Sequence, residues 1–459
     1  MLNDLRQLIA VPSVMGAPEK DAPFGAAPRA ALDTFLAIAA KYGMRTRNEN
    51  GYCGWAEIGA GEKCIGILGH LDVVPAGSGW SHDPFTLVCE DGFLYGRGVA
   101  DDKGPTIAAL HAMKRIAESG APLRHRIRLI AGCNEENGSE CIAYYRKHCE
   151  IPVASFVPDA DFPLINSEKG ILHLTVTLPA DELLQQNVLR LRAGERPNVV
   201  PDLCTADIPK GSALYNILAL YGRDNALFYK PQIAAAIAGN GMRIEDFSAH
   251  FFEDKLTVEA RGLAGHAMAP QKGENAAAKL LVFLHAIYPT PALTAAATRL
   301  NAPNPAALLG IAAADEVSGE LTVNLGMARC ENGVLTLTLD CRLPVCADHT
   351  DVCDKIRAAF APCTLTVNRW SENLYIPEND KLVQALLRAY SRVTGGEKKC
   401  LYCGGGTYAR ELPNAVAFGP TFEGLETDIH NADERFPVDL FDTLPAIYEA
   451  AILELDNAF

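Results

Sequence analysis

Acidic residues and histidines follow apolar, strand-like runs at several places in the sequence. His70 and Asp72 come after "CIGILG", and their spacing puts both side chains on one side of an extended chain. Side chains of the same kinds follow further runs, at Asp101 and Asp102, Glu135 and Glu136, Asp159 and Asp161, and His430. Since ligands bind beyond the carboxyl ends of the strands in an open parallel sheet, we expect these side chains to gather at one edge.

Each of these residues also has an ordinary structural explanation. An Asp after a strand is usually a helix N-cap, which is the favoured interpretation of Asp102 and Asp161 taken alone. Such explanations do not account for a shared edge, so the joint pattern favours a metal site. Imidazoles and carboxylates suit zinc, manganese or cobalt. With about three protein ligands per catalytic zinc, two ions would need one bridging carboxylate, and the pattern predicts a dimetal hydrolase.

The elements that would position these residues have an α/β pattern. Between Cys64 and Lys169, strand-like runs alternate with helical segments, which predicts a mostly parallel sheet flanked by helices. Pro105 suits the first turn of one such helix, and Gly120 suits its end. The pattern returns near the C-terminal end in the helical "KLVQALLRAYSRVTGG", the strand "AVAFGP" and a final helix in "FDTLPAIYEAAILELD".

The middle of the chain has a different pattern. Runs such as "ILHLTVTL", "KLTVEARGL" and "GVLTLTLDCRLP" alternate in polarity and are interspersed with alanine-rich helical segments around Ile233 and Ala276. This is typical of an antiparallel α+β arrangement. We therefore predict a catalytic α/β domain from residues 1–168 and 372–459, with an inserted α+β domain over residues 169–371.

Composition excludes several classes of function. Hydrophobic residues make up 49% and charged residues 21% of the chain, and no apolar run has the ~20 residues of a membrane span. A net charge of −15 argues against a nucleic-acid partner. The N-terminal segment predicts an amphipathic helix and no export signal, which favours the cytoplasm. Most cysteines lie in apolar runs as small hydrophobes, and Cys400 and Cys403 lack a second CxxC partner for a zinc site.

Five motifs, in their order along the chain, resemble the M20 family of metallopeptidases, and more closely its dipeptidase branch of the PepV and carnosinase-like type. The motifs are "GHLDVVP", "GRGVADDKGP", "NEENGS", "PDADFP" and "DIHNADE". The resemblance covers nearly the whole chain. It implies a phosphorylase/hydrolase-like catalytic domain that binds two Zn²⁺ ions, with Mn²⁺ or Co²⁺ as alternatives.

The resemblance implies particular metal ligands. One ion would be bound by His70, Asp101 and Asp159. The other would be bound by Asp101, Glu136 and His430, so that Asp101 bridges the two ions.

The resemblance also implies roles for residues beside the ligands. Asp72 would orient the His70 ring through its carboxylate. Glu135 would be the general base that takes a proton from the metal-bridging water and later gives it to the leaving amine. The peptide bond between Asp101 and Asp102 would be cis.

The inserted domain resembles the lid of this family. Within "GLAGHAMAPQKGENA", which by itself predicts only a turn, His266 would stabilise the tetrahedral oxyanion. Asn198 and Arg342 would contact the substrate. A lid of about 200 residues is large enough for two subdomains, as in members that act as monomers, so we expect a monomer. Hinges near Lys169 and Ser371 would let the lid open and close.

The glycine-rich stretch "CGGGTYAR" predicts an anion cradle. Backbone N–H groups of consecutive glycines that open a helix bind anions, although the Lys-Ser/Thr of a phosphate-binding loop is absent. By the resemblance, Gly405, Gly406, Thr407 and Arg410 would lie by the C-terminal carboxylate of the substrate. Recognition of a free carboxylate favours short peptides.

The leading hypothesis is a zinc-dependent dipeptidase that hydrolyses unblocked dipeptides. An N-acyl amino acid deacylase would use the same dimetal centre on a substrate with a simple acyl group. A non-catalytic binding protein on the same scaffold is a third interpretation, and the presence of Glu135 beside a full ligand set argues against it.

Overall fold

The protein is described by a computed structural model that covers residues 1–222 and 224–459, and its chain divides into two compact units. Unit 1 comprises Met1–Glu168 and Leu374–Phe459, and unit 2 comprises Lys169–Asn373. The chain thus leaves unit 1 after Glu168 and returns to it at Leu374.

Unit 1 is an α/β structure. Its helices are α1 (Leu2–Ile9), α2 (Ala26–Lys41), α3 (Lys103–Ser119), α4 (Glu140–His148), α11 (Lys381–Thr394) and α12 (Val438–Ala458). Its strands are β1 (Arg45–Glu49), β2 (Cys53–Ile58), β3 (Cys64–His70), β4 (Val88–Glu90), β5 (Phe93–Tyr95), β6 (Arg126–Gly132), β7 (Ala154–Val157), β8 (Ala160–Asp161), β9 (Ile165–Glu168), β22 (Leu374–Tyr375), β23 (Leu401–Cys403), β24 (Ala415–Ala417), β25 (Pro420–Thr421) and β26 (Arg435–Pro437).

The main sheet of unit 1 has the order β1-β2-β6-β3-β7-β24-β9-β22, and β23 also pairs with β9. Strands β6, β3, β7 and β24 are parallel neighbours, as predicted. The prediction is wrong toward the edges, where β1–β2, β2–β6, β24–β9 and β9–β22 are antiparallel. For β1 and β2 the reason is local, because a tight turn with positive φ at Asn50 and Gly51 can join only antiparallel strands.

The central strands of this sheet are buried on both faces. Every residue of β3 is buried, which is the pattern of a parallel strand covered by helices on both sides. Helix α3 packs so closely on β3 that a Cβ atom on Gly69 would lie 2.1 Å from Thr106 Oγ1. The apolar core therefore extends up to the last residues of β3, where the polar site begins.

Unit 2 is built on an antiparallel sheet. Its helices are α5 (Glu182–Asn187), α6 (Ala213–Leu220), α7 (Pro231–Gly239), α8 (Ala276–Ile287), α9 (Pro291–Leu300) and α10 (His349–Ala359). Its strands are β10 (Gly170–Thr177), β11 (Arg190–Ala193), β12 (Val199–Val200), β13 (Leu203–Pro209), β14 (Phe247–Phe251), β15 (Lys255–Arg261), β16 (Gly265–His266), β17 (Ala314–Asp315), β18 (Gly319–Glu320), β19 (Thr322–Glu331), β20 (Val334–Leu343) and β21 (Thr364–Ser371).

The sheet of unit 2 has the order β14-β15-β13-β11-β19-β20-β10-β21. Burial alternates along strands such as β10 and β15, so that one face packs into the core and the other stays polar. The alternating strands and the helices predicted around Ile233 and Ala276 are confirmed as β10, β15, β20, α7 and α8.

Within residues 1–222 and 224–459, no helix combines the length and the apolar character that crossing a membrane requires.

Candidate metal centre

Three parallel strands deliver side chains to the same edge of the unit 1 sheet. His70 is the last residue of β3, Glu135 and Glu136 follow β6, and Asp159 follows β7. Strand β3 pairs in parallel with both β6 and β7, which brings the three carboxyl ends together. Two loops complete the group, with Asp101 before α3 and His430 between β25 and β26.

The side chains predicted to bind metal converge on Asp101. Its Oδ1 lies 2.8 Å from His70 Nε2, and its Oδ2 lies 3.0 Å from His430 Nε2. His70 Nε2 is also 3.9 Å from Asp159 Oδ2, and His430 Nε2 is 3.2 Å from Glu136 Oε1. Asp101 therefore presents one oxygen toward each imidazole, an arrangement that would allow its carboxylate to bridge two cations.

Two groups of possible metal donors share His70. Ligand atoms of His70, Asp101 and Glu136 lie within 4.8 Å of one another, and so do those of His70, Glu135 and Asp159. Neither group contains a cysteine. A donor set of imidazole and carboxylate fits zinc, manganese or cobalt, and does not fit a soft thiolate-bound metal.

The carboxylates are too crowded to be ionised together without compensation. Burial raises the pKa of Glu135 to about 8, and the nearby Glu136 and Asp101 carboxylates act in the same direction. Burial and the Asp101 charge also raise the pKa of Asp159 well above its usual range. Bound cations would supply the missing positive charge, so this arrangement fits a metal centre.

The histidines supply compensating charge when protonated. Hydrogen bonds to Asp101 and Glu136 raise the pKa of His430 to about 11. Burial acts against the charged form of His70, but the Asp101 carboxylate raises the pKa of His70 well above its usual value. Binding of a cation at the same nitrogens would displace these protons, because a metal-bound imidazole must give up the proton from the ligating nitrogen.

Asp72 supports the site differently from the sequence-based expectation. Its carboxylate oxygens accept hydrogen bonds from the backbone N–H groups of Glu135 (3.0 Å) and Glu136 (3.1 Å). The His70 ring is held instead by the backbone carbonyl of Asp72, 3.0 Å from Nδ1, whereas the nearest carboxylate oxygen is 3.6 Å away. The carboxylate thus fixes the Glu135–Glu136 segment, and the main chain fixes the ring.

The peptide bond between Asp101 and Asp102 is cis, as the resemblance implies. Asp102 stands at the N-cap position of α3, but its side chain does not cap the helix. The Asp102 carboxylate accepts hydrogen bonds from His70 N and from Thr106 Oγ1, both at 3.0 Å. It therefore ties the Asp101 loop to the end of β3. Asp161, also read as a possible cap, lies in the short strand β8.

The glycine-rich loop surrounds a carboxylate of the protein itself, that of Glu168. The predicted helix is only a 3-10 turn (Tyr408–Glu411). Thr407 Oγ1 donates to Glu168 at 2.7 Å, and Arg410 Nε donates to the same carboxylate at 2.9 Å. Glu168 is fully buried. The structure thus places Thr407 and Arg410 around Glu168.

The glycines of this loop make room for that contact. A Cβ atom on Gly406 would lie 2.3 Å from the Arg410 guanidinium carbon, and Arg410 Nη2 donates to the Gly405 carbonyl at 2.8 Å. The Gly405 N–H donates to Cys403 Sγ at 3.2 Å, and Cys400 and Cys403 are free thiols. Cys403 therefore has a structural contact in this loop.

Unit 2 brings together the three residues predicted to act from the lid. Strands β12 and β16 pair Val199 with His266, and the Ala267 N–H donates to the carbonyl of Asn198 at 3.0 Å. Ala267 also accepts a hydrogen bond from Thr322, which lies opposite Arg342 in the β19–β20 pair.

The side chains of His266 and Arg342 have partners within unit 2. His266 Nδ1 accepts the Met268 N–H at 3.1 Å, which leaves the proton of a neutral ring on Nε2. Arg342 is buried and donates to both oxygens of Asp340, at 2.6 and 2.9 Å. The ring of His266 is therefore in the tautomer that can donate a hydrogen bond from Nε2.

Sequence reasoning missed Arg97 and Glu434, a buried ion pair beside Asp101. Glu434 belongs to the quoted motif "DIHNADE", but only its histidine was interpreted. The sequence around His430 shows that Glu434 follows it by four residues, which could have drawn attention to Glu434. No sequence pattern near Glu434 indicates that its partner is Arg97.

These features together define a class of protein. An α/β unit in which imidazoles and carboxylates converge beyond parallel strand ends has the construction of a metal-dependent hydrolase. The family model described as Peptidase family M20/M25/M40 matches residues 66–454. The chain belongs to this family and is a metallopeptidase.

The similarity to individual relatives extends over the whole chain. YtjP of Bacillus subtilis (strain 168) is 34% identical over 467 residues, which cover 99% of this chain and 97% of that protein. The Beta-Ala-Xaa dipeptidase of Lactobacillus delbrueckii subsp. lactis is 34% identical over 465 residues, with 99% and 96% covered.

Solved structures share the fold at low sequence identity. Human carnosine dipeptidase 1 is 15% identical with a TM-score of 0.56, covering 99% of this chain and 96% of that chain. The M20 family metallo-carboxypeptidase Sso-CP2 from Sulfolobus solfataricus is 17% identical with a TM-score of 0.59, covering 100% and 99%.

Proposed function

We propose that the protein is a dipeptidase whose centre holds two divalent cations, zinc or else manganese or cobalt. His70, Asp101 and Asp159 would hold one cation, and Asp101, Glu136 and His430 the other. The observation that carries this proposal is the position of the Asp101 carboxylate, which offers one oxygen toward each of two imidazoles.

Glu135 is the general base in this proposal. When bound, the cations would polarise the scissile carbonyl and promote ionisation of the attacking water. Glu135 takes a proton from that water as the new C–O bond forms and gives a tetrahedral oxyanion. It then delivers the proton to the nitrogen of the leaving amine as the C–N bond breaks and the carbonyl is restored. Support for this role comes from position: a carboxylate oxygen of Glu135 lies within 4.8 Å of ligand atoms of His70 and Asp159, and Asp72 holds the backbone N–H of Glu135.

Unit 2 is the lid in this proposal. His266 would donate a hydrogen bond from Nε2 to the oxyanion, and Asn198 and Arg342 would contact the substrate. Support comes from the hydrogen bond that His266 Nδ1 accepts from the Met268 N–H, which leaves Nε2 as the donor of a neutral ring, and from the backbone contacts that link the three residues within unit 2.

Free dipeptides are the proposed substrates. The Beta-Ala-Xaa dipeptidase of L. delbrueckii, similar over the whole chain, supports this class. The amides of Gly405 and Gly406 would lie near the substrate carboxylate, while Thr407 and Arg410 would act indirectly by holding the loop on Glu168. We further propose that the protein is a monomer. We also propose that it is cytoplasmic, and the free thiols of all fourteen cysteines are in keeping with a reducing compartment.

The test is turnover of a substrate panel by metal-stripped protein resupplied with Zn²⁺, Mn²⁺ or Co²⁺. The panel contains α-dipeptides, β-alanyl dipeptides, and acetyl and succinyl amino acids. We expect hydrolysis of free dipeptides only after a cation is added. Hydrolysis of the acylated set alone would instead assign a deacylase, and no turnover of any compound would refute the proposal.

The role of Glu135 is tested by comparing Glu135→Gln with Asp159→Asn. Loss of the base should lower kcat by about 10²–10⁴-fold while the bound metal content stays the same. Loss of a ligand should lower the metal content itself. Equal metal loss in both variants would make Glu135 a ligand and contradict its assignment as the base.

A further inference from the structure

Glu434 is a fully buried carboxylate surrounded by donors from a single loop. It accepts hydrogen bonds from the backbone N–H groups of Gly98 (3.0 Å), Ala100 (2.9 Å) and Asp101 (3.2 Å). The last of these is the amide of the residue proposed to bridge the cations. Glu434 thus fixes the main chain at Asp101 directly.

Arg97 connects the same carboxylate to the His430 loop. Its Nη1 donates to Glu434 at 2.7 Å, and its Nη2 donates to the backbone carbonyl of Asn431 at 3.1 Å. The guanidinium also lies over the ring of Trp80, with its carbon 5.2 Å from the ring centroid. Arg97 is only 1% exposed, so these contacts are made away from solvent.

The backbone around His430 needs such support. His430, Asp428 and Asp433 all have left-handed φ angles, of +64°, +53° and +58°, which non-glycine residues rarely adopt. The His430 side chain is 51% exposed, so packing against other side chains fixes it only in part. Strands β5 and β26 pair next to this point, and the Gly96 N–H continues the pairing to the Glu434 carbonyl.

We propose that Glu434 and Arg97 are positioning residues that set the distance between Asp101 and His430, and so the affinity of the cation that these two residues share. The inference rests on the proposed function. One carboxylate holds the amide of Asp101, and its guanidinium partner holds the carbonyl next to His430. The two halves of one metal site, more than 300 residues apart in sequence, are thereby joined through a single buried ion pair.

The competing explanation is that the pair only stabilises unit 1. The chain offers a matched control in Glu57 and Arg128, which form a buried ion pair at 2.7 Å in the same unit, with side chains 4% and 6% exposed. This pair joins β2 and β6 away from the end of β6 that precedes Glu135 and Glu136. Removing either carboxylate takes the shortest ion-pair contact from a buried arginine, although Arg128 keeps Glu150 at 3.6 Å, so both variants should lose stability.

The experiment compares Glu434→Gln with Glu57→Gln. Cation affinity is measured by competition with a chromophoric chelator, and bound metal is measured by elemental analysis. The thermal midpoint of unfolding is measured for the metal-free protein. We expect Glu434→Gln to weaken binding of the cation shared by Asp101 and His430, here called the second cation, by about 10–100-fold. The kcat of this variant should return toward the wild-type value as the cation concentration rises. Glu57→Gln should lower the thermal midpoint of the metal-free protein and leave both cation affinities unchanged.

Arg97→Lys is the second variant, and it decides the outcome if Glu434→Gln does not fold. Lysine keeps the charge but lacks the planar guanidinium that contacts both Glu434 and Asn431. The substitution should therefore also lower the affinity for the cation shared by Asp101 and His430, and not the affinity for the other cation. Unchanged cation affinities in Arg97→Lys, or equal losses in the Glu434 and Glu57 variants, would overturn the inference. If the wild-type protein itself binds no second cation, the proposed function fails instead.

Discussion

Among single residues, Asp72 supports the centre through two different groups, its side-chain carboxylate and its backbone carbonyl. Its carboxylate holds two backbone amides, while its carbonyl holds the His70 ring. The proposed general base Glu135 and the proposed ligand His70 are therefore fixed by different parts of one residue. A substitution of the side chain alone can separate the two effects.

Asp72→Asn should lower kcat about 10–100-fold and leave the bound metal content unchanged. An asparagine side chain has a single acceptor oxygen, so the amide of Glu135 or Glu136 loses its partner, whereas the carbonyl that holds His70 remains. Steady-state kinetics and elemental analysis check this expectation. Asp33→Asn, at an exposed position, is the control. Loss of metal in Asp72→Asn would mean that the carboxylate supports the ring after all.

Sequence patterns predicted the residues that converge at the centre better than the residues that hold them. His70, Glu136 and Asp159 each follow a recognisable apolar run, and parallel strands must bring such positions together. Glu168 and Glu434 have partners 242 and 337 residues away, Arg410 and Arg97. No local pattern encodes a pairing at that distance. The sequence therefore predicted the anion cradle but not that Glu168, which is distant in sequence, lies in it.

At the scale of elements, the strands next to the centre are packed so closely that they require glycine. Gly132 lies beside His70 in the β3–β6 pair, and a Cβ atom there would meet Tyr408 Oη at 2.1 Å. Tyr408 is fully buried, with its hydroxyl 2.9 Å from Cys141 Sγ. The end of β6 therefore has no space for a larger residue.

Gly132→Ala should reduce the free energy of unfolding by about 1–3 kcal/mol through overpacking, as measured by denaturant titration. Combining it with Tyr408→Phe removes the nearest atom and should recover part of the loss relative to the sum of the single variants. Gly239→Ala is the control, because a Cβ atom at the end of α7 meets nothing within 4 Å. A neutral Gly132→Ala would show that the strand end can shift.

Three helices are joined by a hydrogen-bonded cluster. Asp4 on α1 accepts from Tyr42 Oη at 2.5 Å, at the end of α2, and is 2.8 Å from His111 Nε2 on α3. Burial opposes ionisation, but the hydrogen bonds from Tyr42 and His111 lower the pKa of Asp4 below its usual value of 3.8. Stabilisation by this carboxylate is therefore complete above pH 3.8 and is lost as the pH falls through the lowered pKa.

Asp4→Asn should accordingly lower the free energy of unfolding by about 2 kcal/mol near pH 6, with a difference from wild type that shrinks as the pH approaches 3. Denaturant titrations of both proteins across this range test the trend. Glu62→Gln, an exposed substitution in the same unit, should show no such pH dependence. A constant difference at all pH values would exclude the charge of Asp4 as the cause.

The element types were largely predictable because the periodicity of apolar residues is local. The runs assigned to β3, β6, β10 and β20 and to helices α3, α11 and α12 are strands and helices in the structure. Strand direction was less predictable. The pairing of β2 with β6 joins segments that are distant in sequence, and an apolar run does not reveal the direction of its neighbour.

At the scale of the whole molecule, all the proposed metal ligands belong to unit 1. Removal of metal by a chelator should lower the thermal midpoint and increase amide hydrogen exchange in peptides that contain residues 97–102 and 428–434. A ligand at 100 times its Kd stabilises the folded state by about 2.7 kcal/mol. Peptides from residues 203–209 of unit 2 serve as the reference. Asp101→Asn should not respond to added cation, and an equal response of both units would contradict a centre confined to unit 1.

His430 follows unit 2 in the sequence, whereas the other proposed ligands precede it, and this order has a consequence for biosynthesis. The ribosome first releases the segment that contains four of the proposed ligands, His70, Asp101, Glu136 and Asp159. Unit 2 follows as one continuous segment, and His430 emerges after it. A nascent or truncated chain that ends before residue 430 therefore cannot assemble both halves of the centre. Hydrolytic activity through the proposed centre would therefore require synthesis of the chain beyond residue 430 and its return to unit 1.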